Sequence, residues 1–168
     1  MPQFTREDVE RLIAERQARG ALELYLKGAD LSGLDLSGLD LHNARLRQAQ
    51  LHATDLHEAN LSGADLVEAD LSLSDLRKAD LYQANLTGAD LTGANMTFAH
   101  LAHANFTAAL VCEANLTFVD ARRANFTLAA LSRSNLREAK LSGATLDQAD
   151  LTGAKLQGTI MPDGAKHE

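Results

Sequence analysis

Apolar and polar residues follow one another in steps of two and then three, so that a large apolar residue returns on every fifth position from Leu31 to Leu156 without an insertion or deletion. Of the 26 central positions so defined, 21 are Leu, and the others are Met96, Phe106, Val111, Ala121 and Phe126. Two residues ahead of the centre 20 of the 26 positions hold Ala, and one residue ahead 18 hold Asp or Asn, so the unit reads A(D/N)LXX. A five-residue step turns about 140° around an α-helix, which would scatter the leucines over its whole circumference. A flat strand fails as well, since each step of three sends the next leucine to the opposite face. The chain must bend once per repeat. If each pentapeptide is one side of a square coil, the central Leu and the Ala before it both point to the axis, and four repeats close a turn. At a strand spacing of about 4.8 Å the repeats stack about 6.5 turns into a rod on the order of 31 Å long. Such a unit buries its apolar face only against its neighbours, which is the behaviour of a solenoid.

These repeats resemble the pentapeptide repeat family, and the resemblance runs over about residues 24 to 160. It implies an all-β solenoid, a right-handed quadrilateral β-helix; the handedness and the square section come from the resemblance, the coil of short sides from the periodicity. Residues 1–23 are expected to form a helical cap and lead-in, 24–160 the coil, and 161–168 a polar tail.

Ahead of the repeats, Thr5 is placed as an N-cap with Asp8 three residues on, and Phe4 can staple against Val9. Glu7 with Arg11 and Glu15 with Arg19 have i,i+4 spacing, and Gly20 is a stop signal, which predicts a helix of about residues 6 to 19. Its stripe of Val9, Leu12 and Ile13 suits a lid on the first coil, with a partner-binding helix as the rival reading. Leu22, Leu24 and Leu26 read as a leading strand, and Leu34 and Leu39 replace the small inward Ala where the lid leaves room. At the far end only Ile160, Met161, Pro162 and a short polar tail follow Leu156. An uncovered last coil exposes backbone groups and leucines, so a homodimer stacking its C-terminal coils through Leu151, Leu156, Ile160 and Met161 is expected. The resemblance implies the same, since some members of the family pair by that end.

Residues twenty apart should lie one above the other. Phe106 and Phe126 then stack inside the rod, and the small centre Ala121 compensates the large inward Val119. Outside, Phe98 and Phe118 share an outward position, and Leu110 and Leu128 depart from polar choices nearby, which makes these four the candidate lateral interface for a protein partner.

Charge is uneven. Residues 28 to 94 hold 11 acidic and 4 basic side chains, whereas residues 95 to 160 hold 5 and 6. Asp35, Asp55 and Asp75 fall in one column, and Asp30, Asp70 and Asp90 in another, where like charges repel unless hydrogen-bonded or screened. A solvated acidic face is one reading. Mimicry of DNA is the other, because the resemblance takes in quinolone-resistance proteins that are acidic rods binding DNA gyrase. Duplex DNA carries one charge per about 1.7 Å, so a rod of this length would need about 18, more than the net −7 of the whole chain.

No constellation for catalysis, cofactor or metal binding emerges. His42, His52 and His57 fall on three different sides, and His100 and His103 share a side with Arg122 and Arg123 as a small basic spot without a third metal ligand. The glycines Gly33, Gly63, Gly93 and Gly153 read as turn residues, and lone Cys112 should sit at the surface. A net-acidic chain with few aromatic residues lacks the basic stripe for direct nucleic-acid binding. There is no apolar run of 18 residues, and charges stand in Met1 to Glu10 where a signal peptide is apolar. The expectation is a soluble, cytoplasmic, non-enzymatic solenoid without membrane contact, serving as a protein-interaction or structural module.

Overall fold

The computed structural model describes residues 4–18 and 23–168; Arg19, Gly20 and Leu22, which the sequence places in the helix end and the leading strand, lie outside them. The chain begins with α1, Arg6–Ala18. Its first turn is closed reciprocally: the Asp8 amide donates to Thr5 Oγ1 at 3.2 Å, and the Thr5 amide donates to Asp8 Oδ2 at 3.0 Å. Because Asp8 is held there, Arg11 turns to it at 2.7 Å rather than to Glu7, and Arg6 pairs with Glu10. Val9 and Ile13 are buried, and Phe4 and Leu12 pack on the same core.

From Tyr25 onward each outward-pointing residue before a centre pairs in parallel with the residue twenty further on, without a break, from Tyr25 with Arg45 to Lys140 with Ile160. The register therefore never slips. Four columns of such bridges define four sides, called first to fourth after Tyr25, Asp30, Asp35 and Asp40.

The repeat can be understood from its five backbone N–H groups, using the one centred on Leu56. The Leu56 and Glu58 amides donate to Asp75 O and Arg77 O of the following coil at 2.8 and 2.9 Å. The Asn60 amide donates to Leu39 O of the preceding coil at 3.0 Å, and the Ala59 amide closes a turn on Leu56 O at 3.0 Å. One donor is left, that of His57, and it is taken by Asp55 Oδ1 at 3.0 Å. Every buried donor needs a partner, and in most repeats the Asp or Asn before the centre supplies the one that no neighbouring coil can reach. The Ala before it is small because two inward columns share a narrow axis.

The bend costs backbone strain. In each repeat the second residue after the centre has φ between 52° and 78°, the left-handed position of a type II turn. Glycine occupies it at Gly33, Gly63 and Gly93, but Ala53, Glu58, Phe98 and many others adopt it with a side chain in place. For such residues the conformation costs roughly 1–2 kcal/mol, and flanking hydrogen bonds enforce it.

Inside, the Leu and Ala columns are almost wholly buried, the rings of Phe106 and Phe126 stack with centroids 4.8 Å apart, and Val119 and Ala121 are both fully covered. Where a hydroxyl replaces the inward Ala it turns back on the backbone: Thr54 donates to Leu31 O at 3.0 Å, Ser74 to Leu71 O at 2.7 Å and Thr159 to Leu136 O at 2.6 Å. Among the described residues the Ser134 hydroxyl has no partner.

The two ends are closed differently. In the middle of the rod, carbonyls such as Asp55 O accept an amide from the coil before. Asp35, Ser37, Asp40 and His42 have no such coil, and two arginines of α1 stand in for it. Arg6 donates to Asp35 O at 3.1 Å and Ser37 O at 3.2 Å, and Arg16 donates to His42 O at 2.9 Å and Asp40 O at 3.1 Å. Arg16 is buried to do so, only 8% exposed, with the Asp40 carboxylate 3.3 Å away. The last coil has no helix. Leu146, Leu151 and Leu156 are only partly buried, and among the described residues their amides donate to no backbone carbonyl. The tail, however, returns along the fourth side instead of trailing away: Asp163 accepts the Ala165 amide, Gly164 takes φ 88°, and Ile160 pairs antiparallel with Lys166. One side of the final coil is thereby covered and three stay open.

Replacing the exposed corner residue Ala53 by Gly should raise stability by about 0.5–1 kcal/mol, because relief of the left-handed strain exceeds the flexibility gained by the unfolded chain. Urea unfolding measures this, and a loss of stability would show that the corners carry no strain.

Candidate functional site

Phe98 and Phe118 occupy the corner between the third and fourth sides, one coil apart, at φ 61° and 60°. Their rings stack with centroids 5.0 Å apart and planes within 5°, and they are 57% and 48% exposed. Coil spacing is close to ring spacing, so equal side chains in one column stack automatically. Below them in the same column Lys78 is paired with Glu58 at 2.8 Å. Leu110 and Leu128 are also exposed, at 46% and 53%, but they lie on and beside the corner between the first and second sides. Counted by the twenty-residue turn, that corner is diagonally across the rod. The four residues grouped from sequence therefore form two separate patches, because nearness along the chain is not nearness on a coil.

The two aspartate columns differ in a way that spacing did not show. On the third side each carboxylate has a basic partner: Asp35 has Arg6 at 2.8 Å, Asp55 has His57 at 2.7 Å, and Asp75 has Arg77 at 2.8 Å. The Ser37 hydroxyl and amide hold the Asp35 carboxyl below its ordinary range, Arg77 does the same for Asp75, and the Asp55 bond raises the His57 imidazole. On the second side Asp30, Asp70 and Asp90 accept the amides of Ser32, Ser72 and Thr92 at 3.1, 2.9 and 2.8 Å. Among the described residues no cation lies within ion-pair distance of these three. The bare acidic strip is thus confined to one wall, and on that wall it gives way to Leu110 and Ala130 in the next coils.

The histidines are dispersed. His42, His52 and His57 stand on different sides and bond Asp40, Ser72 and Asp55. Among the described residues no three His, Cys, Asp or Glu side chains are grouped to hold a metal. Cys112 is half-buried, its Sγ 3.3 Å from Ser132 Oγ. His100 and His103 do come together with Arg122 and Arg123, around a groove of about 480 Å³ on the fourth side. Tyr82, which sequence reading passed over, closes its lower end. It stands twenty residues before Ala102 and forty before Arg122, so the column itself was the available signal. Arg6 and Arg16 were missed too, and nothing in a pentapeptide pattern marks them. No helix among the described residues is long and apolar enough to cross a membrane.

Comparison with known proteins bears on the whole coil. The family model described as pentapeptide repeats (8 copies) matches residues 25–63, 54–93, 89–127 and 129–162. Among solved structures, Rfr23, a pentapeptide repeat protein from the cyanobacterium Cyanothece 51142, is 31% identical, with 60% of this chain and 63% of that one covered and a TM-score of 0.46. The chain thus spans 63% of the Rfr23 chain. HetL, a pentapeptide repeat protein involved in heterocyst differentiation regulation from the cyanobacterium Nostoc sp. Strain PCC 7120, is 28% identical over 92% of this chain and 98% of its own, with a TM-score of 0.32. QnrB1, a plasmid-mediated fluoroquinolone resistance protein, is 22% identical over 79% and 77%, with a TM-score of 0.36. No curated protein matches. The family matches span nearly all of the bridged coil, and the hydrogen bonds found there account for the repeat they describe, so the chain belongs to the pentapeptide repeat family and folds as its right-handed quadrilateral β-helix, capped by one N-terminal helix.

Proposed function

We propose that this solenoid is a non-catalytic interaction module that docks a protein partner on the Phe98 and Phe118 corner. One observation carries the reading: two large apolar side chains are held in solvent at a backbone position that penalises them, where Gly or a polar residue serves the fold better. Exposed, strained aromatic residues add nothing to the core that Phe106 and Phe126 already fill. The open C-terminal coil supports a second contact, between two copies of the chain. Leu146, Leu151 and Leu156 with their unpaired amides form the docking edge, flanked by Ile160 and Met161, where the returning tail limits access. A second reading, a DNA mimic acting on a gyrase-type topoisomerase, draws on the uncompensated strip of Asp30, Asp70 and Asp90. The third side, where each aspartate has a basic partner, speaks against it.

Replacing Phe98 and Phe118 together by Ser should leave the melting temperature unchanged or slightly higher and weaken capture of the partner from native lysate by about tenfold or more. Undiminished capture would move the interface elsewhere. In sedimentation at micromolar concentration the chain should run at twice its 18.1 kDa, and Leu151→Glu should return it to the monomer; a monomeric wild-type mass removes the paired end. In a supercoiling assay the interaction module leaves gyrase unaffected even in excess. Inhibition that disappears with Asp70→Asn and Asp90→Asn would favour the mimic instead.

A further inference from the structure

The groove on the fourth side is independent of both contacts just described. In the column that runs through it, Tyr82 and Arg122 are separated by Ala102, whose side chain is too short to fill the space between two large neighbours. Ala102 forms the floor, and His100, His103, Arg122 and Arg123 stand around it with Tyr82. All five of those walls carry hydrogen-bond donors, and among the described residues no carboxylate lines the opening.

The donors are braced before any ligand arrives. Tyr82 stacks on His100 with centroids 5.5 Å apart and meets His103 edge-on at 5.6 Å. His100 Nδ1 lies 3.1 Å from Asp80, to which it donates, and Arg122 is clamped on Asp120 by bonds of 2.8 and 2.6 Å. Those two aspartates answer His100 and Arg122. Arg123 has no carboxylate within ion-pair distance among the described residues, so its charge is uncompensated at the rim. A concave site with hydrogen-bond donors on its walls, one free guanidinium and a second held in place is complementary to an oxyanion.

We propose that this groove is a binding site for a phosphate group, as the free ion or as a small phosphate monoester, seated on Ala102 and held by Arg123, Arg122 and His103. The protein is acidic overall, so long-range attraction does not bring anions to it and the local donors must do so.

The test is a titration of the full chain with inorganic phosphate and, separately, with phenyl phosphate, followed by the ring-proton signals of His100 and His103 in NMR and by calorimetry. Saturable movement of both histidines is expected, with dissociation constants of about 1 mM or below. Tighter binding of phenyl phosphate assigns the site to a monoester, tighter binding of phosphate to the free ion. Arg123→Gln should weaken binding about tenfold, and Ala102→Leu should abolish it by filling the floor. The second variant is not expected to disturb folding, because the same position holds Tyr82 and Arg122 in the coils on either side. Arg137→Gln, which removes from another side a charge that likewise has no carboxylate within ion-pair distance among the described residues, should change nothing. Absence of saturable shifts, an equal response to sodium chloride at matched ionic strength, or equal weakening by Arg137→Gln would overturn the assignment.

Discussion

A narrow coil has to pair five amides per repeat while turning a right angle, and the rest of this molecule follows from how that is done. Neighbouring coils take three, the turn takes one, and where an Asp or Asn precedes the centre its side chain takes the last. The Asp and Asn residues are therefore part of the backbone's hydrogen bonding before they are surface charge. This explains how aspartates can stand above one another at coil spacing: each is bound by an amide of its own turn, which offsets part of the repulsion. It also limits what can be read from an acidic composition, since a structural carboxylate is spent partly on the chain that carries it.

The same accounting governs the ends. A coil that stops leaves donors and acceptors without partners, and the two termini solve this with different chemistry. At the start, guanidinium groups on a helix imitate the amides of a missing coil, reaching four carbonyls with two side chains. At the finish, backbone pairs with backbone, where Ile160 meets Lys166 along one side. The two ends therefore differ, one closed by helix arginines and the other with open coil amides, and the proposed pairing of two copies uses the second.

Function in such a fold resides where the outward pattern breaks. The repeat leaves two positions per side free of structural duty, and most hold small or polar residues. Departures from that habit mark the places of interest: aromatic rings in strained corners, a gap between two large donors, a wall that passes from bare carboxylates to leucine. Each becomes a surface because identical positions are brought one above the other every twenty residues, so that two unremarkable side chains become a stack or a clamp.

Much of this was legible in the residues. The unbroken fivefold register alone required a bend in every repeat and an inward Leu and Ala, since no straight element keeps such a spacing on one face; the capping of α1 by Thr5 and Asp8 and the internal stack of Phe106 on Phe126 were equally readable, being local or set by period. What only the tertiary structure decided depends on direction across the coil and on side-chain reach. It separated Leu110 and Leu128 from Phe98 and Phe118 by half a turn, gave one aspartate column basic partners and left the other bare, and folded the tail back on Ile160. It also carried Arg16 across from the helix to the open carbonyls of Asp40 and His42. A repeat specifies which residues share a column; how a long, flexible cation swings between columns is decided by the partners within its reach, and these are known only once the coil is built.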